Sequence, residues 1–557
     1  MKKKTVFSYV TLLLVLTLVL AGCGNQNNNP ANPNNSGNDG GSEGQEEARA
    51  FRLNLHSEPP SLDPALMEDN VSGTIATGIY EGLTRKDESG NTVEGMAESW
   101  EISEDGKTYT FKIRSDAKWS NGDPVTANDF EFAWKRALDP AIGSTYAYQF
   151  YYIAGAQDYN EGKTTNADAV GVKALDAQTL EVKLNSPTPY FLGLTSFYTY
   201  NPVHQSAKEN AGWAADAATI IGNGPFKMGE WQHNTSIKLV PNENYYAKDQ
   251  VKFTSVDFTM IADSATELAN YETDQLDYTG KPTGEIPAEQ IPVLAESKKD
   301  EFHQVGTASS YYYMFNMEKA PFNNVKVRKA LAMAIDRQSI VEDITQAGEL
   351  PAFGFVPPGI VGVKGDYRDE VKDDFFKEDV EEAKKLLAEG LEELGLSSFP
   401  EVKLTYNTND SHKAIADAIV DMWKTNLGIN VGTGNEEWAV FLENRNAMNF
   451  DVQRSGWGAD YNDPMTYMDM FVTKGGQNNT GFASAEYDAL IQKAYASSDQ
   501  QERIDAMKEA EKILMDQLPI LPIYYYSSVY MLKPGFENIY LDYKGDIEYT
   551  RGYYVAK

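Results

Sequence analysis

At 557 residues the chain exceeds a single ordinary core, so two or three domains are expected. A formal net charge of −33 argues against nucleic acid as a partner and against adhesion to anionic lipid. The single cysteine excludes an intramolecular disulfide, and the 33 tyrosines either wall a site that stacks varied ligands or coat a large surface.

The N-terminus reads Lys2-Lys3-Lys4, then an apolar run from Val6 to Leu20, then Ala21-Gly22-Cys23. That is a charged n-region, an h-region short for a membrane span, and a small-residue cleavage site. The site resembles a bacterial lipobox, which implies a signal peptide over 1–22 and lipid on Cys23; the alternative is a plain signal peptide with an incidental cysteine. Removing the leader removes three lysines, so the exported part is more acidic still and is held at the membrane by lipid rather than by charge. Residues 23–50 are rich in Asn, Gly, Ser and Glu, a composition that buries no core and reads as a lipidated flexible tether.

Arg49 to Leu55 alternates apolar and polar residues and predicts the first strand, broken by the prolines of Glu58-Pro59-Pro60-Ser61-Leu62-Asp63-Pro64. Lys107–Ile113 and Thr179–Leu184 alternate strictly and predict half-buried strands. Asn324 caps a helix carrying Val327, Leu331, Ala334 and Ile335. Asp379 with Glu382 resembles a capping box ahead of Val380, Ala383, Leu387, Leu391 and Leu394. Ile415, Ile419, Met422 and Trp423 mark a further helix. The stretch Asn449–Pro464, NFDVQRSGWGADYNDP, opens as a strand and runs through a Gly-flanked Trp457 to an acid-rich turn. A strand lends backbone hydrogen bonds, Trp457 a flat wall and Asp460 a counter-charge for an amine; the plainer reading is a buried Trp beside an Asx-turn. Interspersed strands and helices give an α/β class with mixed sheets, and no internal repeat is found.

The five histidines, His56, His204, His233, His303 and His412, are scattered, with no HExxH and no cysteine partners, so no metal site is expected. GxSxG, GxxxxGK[ST] and GxGxxG are absent, and no cofactor is implied. Acidic residues are too many for a catalytic pair to be picked out or excluded, and nothing positively indicates an enzyme.

Beyond residue 51 the chain resembles the substrate-binding proteins of oligopeptide ABC transporters. The resemblance is carried by SEPPSLDP (57–64), YEGLTR (80–85), AESWEISEDGKTYTFKIRSDAKWSNGDPVTANDF (97–130) and NGPFKMGEW (223–231). It continues through APFNNVKVRKALAMAIDR (320–337), YNTNDSHKAIA (406–416), EEWAVFLENR (436–445) and GWGADYNDP (456–464). It implies a two-lobed, periplasmic-binding-protein-like clam with an additional inserted domain. One lobe would come from 51–80, 207–308 and 528–557, the inserted domain from 81–206 and the second lobe from 309–527.

The same resemblance assigns the site. Asp460 would take a peptide's ammonium; Arg454, Arg445 and, for longer ligands, His412 would take its carboxylate. Ser455-Gly456-Trp457 and Glu68-Asp69-Asn70 would offer backbone edges. Trp438 and Trp457 would wall side-chain pockets, with Tyr146, Tyr312 and Tyr526 in support. Some relatives pair a cysteine before the YYY run with one after the GW; here Ser309 or Ser310 and Gly458 stand there. The implied protein is an extracytoplasmic monomer, lipid-anchored to the outer face of the cell membrane, that performs no chemistry and passes oligopeptides to ABC permease subunits. Rival readings are the same fold binding a nickel complex, haem or a sugar, a peptide-pheromone receptor, and an anchored extracellular hydrolase.

Overall fold

A computed structural model describes residues 46–87 and 90–556. The leader, Cys23 and the tether up to residue 45 lie outside the described residues.

The alternation at the start of the folded part produces the strand Ala50–Asn54, which buries Phe51 and Leu53. It joins a four-stranded sheet in the order Ala50–Asn54, Ser255–Thr259, Ser236–Pro241, Phe226–Gln232. The first pair is parallel and the others antiparallel, so the sheet is mixed. A second four-stranded sheet is wholly antiparallel: Ala97–Ile102, Thr108–Ile113, Thr179–Lys183, Val172–Asp176. Tyr109, Phe111 and Ile113 fill its inner face, as period-two patterning requires.

The largest sheet has the order Tyr278–Gly280, Ile520–Leu532, Phe302–Phe315, Val452–Gly458, Lys403–Asn407, Gly432–Glu436. Its spine is the antiparallel pair Phe302–Phe315 and Ile520–Leu532, of 14 and 13 residues. The pairing slips between Gly306↔Ser527 and Ser310↔Tyr525, so residues 307–309 bulge opposite Tyr526 alone. The backbone groups freed there are met from elsewhere. Ala308 N donates to Tyr543 O at 2.7 Å, and Ala308 O accepts from Ala459 N at 3.1 Å and the Tyr467 hydroxyl at 2.7 Å. The bulge therefore gathers the 459–467 turn and the hairpin formed by Tyr540–Leu541 and Ile547–Glu548 around one point.

Helices cover this sheet where the apolar spacing placed them. Asn324 and Asp379 cap Val325–Met333 and Val380–Glu393 by accepting backbone N–H bonds, from Val327 at 3.4 Å and Glu382 at 3.1 Å. Asp410–Leu427 buries Ile415, Ile419 and Trp423, while Met422 is only half-buried. Among the described residues no helix is long and apolar enough to cross a membrane.

Trp423 is fully buried and its indole N–H donates to Leu331 O at 2.9 Å, tying two helices together. Trp423→Ala leaves a cavity and an orphaned carbonyl, and should cost about 3–5 kcal/mol of stability. Urea unfolding midpoints of the two proteins check this.

Candidate functional site

One edge of Val452–Gly458 is paired along its whole length, from Val452↔Phe315 to Gly458↔Ser309. The other is paired only at Val452 and Gln453, by Leu404 and Thr405. From Arg454 to Gly458 that edge carries no strand among the described residues, and it borders a cavity of about 210 Å³. Gly456 keeps this edge free of a side chain. A Cβ there would lie 3.1 Å from the Tyr526 hydroxyl and 3.3 Å from Arg454 Nη2.

At the C-terminal end of this edge Asp460 accepts a hydrogen bond from Gln149 Nε2 at 2.6 Å. Its backbone N–H donates to Thr466 Oγ1 at 3.1 Å, but its carboxylate caps nothing. The cap is Asp463, which accepts from Met465 N at 3.0 Å and binds Arg503 in bidentate fashion at 2.8 and 2.9 Å. Burial raises the pKa of Asp460 well above the usual carboxylate range; Lys544 opposes this, and Asp469 and Asp546 reinforce it. Such a carboxylate gains most from a cation brought to it.

At the other end Arg454 donates to the Tyr526 hydroxyl at 2.5 Å and to Asn407 Oδ1 at 3.4 Å. Its guanidinium lies 4.8 Å over the Tyr311 ring. It has no ion pair among the described residues, and its Nε is buried without an acceptor. Beside it His412 Nδ1 lies 3.4 Å from the Tyr311 hydroxyl. Burial first, then the charges of Arg454, Lys281 and His56, hold the pKa of His412 well below normal, so the ring is neutral at pH 7.

Arg445 is engaged differently. It pairs with Glu68 at 2.9 Å, Asn446 donates to the same carboxylate at 2.8 Å, and Trp438 Nε1 donates to Asp69 Oδ1 at 3.2 Å. These bonds clasp the helix Trp438–Asn446 to the chain ahead of Asn70–Ile79. Asp69 is the N-cap of that second helix, accepting from Ser72 N at 3.0 Å, so Asn70 opens a helix rather than continuing a strand edge.

The cavity is lined by Glu68, Asp69, Asn70, Tyr146, His412, Trp438, Arg445, Arg454, Gly456, Trp457, Asp460 and Tyr526. Tyr146 stacks on Trp457 with centroids 6.0 Å apart. Ser455 is buried on the other side of its strand, leaving only its main chain near the open edge. Tyr312 requires a correction: it does not line this cavity and packs edge-on to Phe355 at 5.2 Å. Strand alternation turns Tyr311 and Tyr313 to the Arg454 side and Tyr312 to the opposite side. The sequence reading missed Gln149, Lys281 and Lys544. Lys544 stands on a hairpin whose turn uses Gly545 at φ +99°, and it pairs with Asp546 at 2.5 Å. The alternation and glycine of LDYKGDIEY signal the hairpin, but nothing local shows that it returns to Asp460.

The family model for bacterial extracellular solute-binding proteins, family 5, matches residues 91–479. The chain belongs to this family. Among curated relatives, the oligopeptide-binding protein OppA of Bacillus subtilis is 42% identical over 100% of both chains. Among solved structures, Listeria monocytogenes OppA bound to peptide superimposes with a TM-score of 0.85 at 34% identity, covering 92% of this chain and 99% of that one. The murein tripeptide binding protein MppA of Escherichia coli gives 0.85 at 31% identity over 92% and 99%. An unliganded open form of MppA gives only 0.63, again at 31% identity, over 93% and 99%. This solute-binding protein thus superimposes less closely on that open form than on the other two structures.

The Arg503–Asp463 pair shapes the turn that presents Asp460, and both side chains are almost wholly buried. Arg503→Met leaves the Asp463 carboxylate buried without a counter-charge and should destabilise the protein by about 3–5 kcal/mol, read from denaturant unfolding. Asp463→Asn in the same background should recover part of that loss.

Proposed function

We propose that this solute-binding protein captures oligopeptides in its cleft and delivers them to an ABC permease. The observation that carries the reading is the unpaired edge from Arg454 to Gly458, with a desolvated carboxylate at one end and a guanidinium lacking an ion pair at the other. An extended zwitterionic chain answers all three needs. Its main chain adds to the edge, its ammonium meets Asp460 and its carboxylate meets Arg454. Trp438, Trp457 and Tyr146 wall spaces for side chains, and most of the binding free energy comes from termini and main chain, so many sequences are tolerated. Arg445 and His412 serve ligands of other lengths, Arg445 by exchanging Glu68 for a ligand carboxylate. The peptide carried by the Listeria relative supports the same reading.

The bulge at 307–309 supports a lobe boundary near residues 308 and 527, with 51–80, 207–308 and 528–557 in one lobe, 309–527 in the other and 81–206 inserted. The protein acts as an extracytoplasmic monomer, performs no chemistry itself, and is anchored to the outer face of the cell membrane by lipid on Cys23. Cys23→Ser should release it from membranes after a salt wash without changing its thermal stability. Retention of the serine variant on washed membranes counts against the anchor.

Asp460→Asn keeps the shape of the site and removes its charge. A hydrogen bond to a charged group contributes roughly 1.5–3 kcal/mol, so affinity for a tripeptide should fall roughly ten- to a hundred-fold. N-acetylation should weaken binding to the wild type strongly and to the variant much less. Calorimetry on both proteins with both peptides checks this, and equal acetylation penalties would sink the assignment of Asp460 to the amine.

A further inference from the structure

A short helical turn, Ala147–Tyr152, meets the Asp460 end of the open edge residue by residue. Tyr146, just ahead of it, stacks on Trp457; Gln149 donates to Asp460 at 2.6 Å; and the Tyr152 hydroxyl lies 3.2 Å from that of Tyr461. Tyr190, also of the 81–206 segment, stacks on Tyr461 at 4.9 Å. A chain bound along the edge with its ammonium on Asp460 comes to lie against this turn, so the turn must lift to admit it.

Behind these contacts is a carboxylate that the cleft does not use. Asp469 is 2% exposed. Its Oδ2 accepts from the hydroxyls of Tyr495 at 3.1 Å and Tyr461 at 3.3 Å, while its Oδ1 is buried without a hydrogen-bond partner. Tyr152 packs edge-on against Tyr495 at 5.2 Å, so residues from both sides of the contact close over the acid. The guanidinium of this neighbourhood, Arg503, is committed to Asp463 at 2.8 and 2.9 Å and lies 4.8 Å over the Tyr190 ring. The other titratable groups facing Asp469 are acids and phenols. Asp460, Tyr461 and Asp463 stand on its own turn, and Tyr487 and Tyr495 on the helix Ala485–Ala496. Tyr148, Tyr152 and Tyr190 come from the 81–206 segment. Burial, reinforced by Asp463 and opposed by the tyrosine hydroxyls, raises the pKa of Asp469 to about 7.

We propose that closing the 81–206 segment onto the Asp460 turn takes up a proton at Asp469, so that the ligand is held more tightly in mildly acidic than in neutral surroundings. The inference rests on the peptide reading and the lobe division above. With the turn lifted, Tyr152 and Tyr190 withdraw and water reaches the carboxylate, which then ionises as an ordinary aspartate with a pKa of about 4. With the turn down the neutral acid is favoured, its proton on the unpartnered Oδ1 and its Oδ2 still accepting from both tyrosines. Protonation therefore favours closure at low pH, and the advantage is lost as pH rises to about 7. Asp460 does not cancel this. It is ionised when the turn is lifted and again when an ammonium lies on it, so it exchanges no proton.

Calorimetry of Ala-Ala-Ala binding to the wild type and to Asp469→Asn, between about pH 5.5 and about pH 7.5, tests this. The ratio of the two affinities removes the titration of the peptide's own amine. Relative to the variant, whose neutral side chain copies the protonated acid, wild-type affinity should fall roughly tenfold or more across this range. At about pH 6, binding heats in buffers of different ionisation enthalpy should show the wild type taking up close to one proton more than the variant. Tyr495→Phe removes one hydroxyl from Asp469 and should move the fall to higher pH. Thermal melting checks that each variant folds. Parallel pH profiles for wild type and Asp469→Asn, with the peptide bound, overturn the proton uptake and leave the peptide reading standing. A fall that Tyr495→Phe leaves in place overturns its assignment to Asp469. Failure of the wild type to bind Ala-Ala-Ala at any pH overturns both readings.

Discussion

Two opposite charges, each removed from water and neither given a full counter-charge by the protein, stand at the ends of one half-paired strand. Burying an ion costs several kcal/mol unless it is paired, and here dipoles rather than opposite charges do the pairing. Gln149 gives Asp460 a dipole rather than a charge, and Tyr526, Asn407 and the Tyr311 ring do the same for Arg454. This is strong enough to hold the side chains in place and too weak to satisfy them. By contrast Arg503 with Asp463, one turn away, is a closed pair that serves the fold.

The long-strand bulge makes this arrangement possible. Three residues opposite one leave backbone groups that only an outside partner can meet, and the 543–544 hairpin and Ala459 meet them. Ser309 adds a bond from its hydroxyl to Lys544 O at 2.8 Å. Ser309 and Gly458 are direct cross-strand partners, without a covalent link between them. A Cβ at Gly458 would come within 3.1 Å of Ser309 Oγ, so the small residue makes room for the serine hydroxyl. Packing and the hairpin hold the bulge instead.

The tyrosines divide between these tasks. Tyr146 and Tyr526 face the cleft, whereas many others spend their hydroxyls on the fold, as Tyr200 does on Gln149 O at 2.6 Å and Tyr549 on Thr74 O at 2.8 Å. Tyr190 stacks on Tyr461 at 4.9 Å and Tyr152 meets the same hydroxyl at 3.2 Å, so aromatic contacts carry the 81–206 segment onto the Asp460 turn. The abundance of tyrosine therefore reflects packing between segments as much as any ligand.

Local pattern was enough for the strands at Ala50–Asn54 and Thr108–Ile113 and for the caps at Asn324 and Asp379, because periodicity and capping are short-range. It also marked the Val452–Gly458 strand and Asp460, since a strand, a Gly-flanked Trp and a turn acid lie within sixteen consecutive residues. The family resemblance put Tyr312 at the site, but three successive tyrosines do not reveal which face of the strand each occupies; only the pairing register does. Gln149, Lys281 and Lys544 were out of reach for another reason. Gln149 and Lys544 come to Asp460, and Lys281 to His412, across large sequence separations, through sheet order and a bulge. The elements were set by neighbours along the chain; the open edge and the desolvation of Asp460 and Arg454 exist only where distant segments exclude water together.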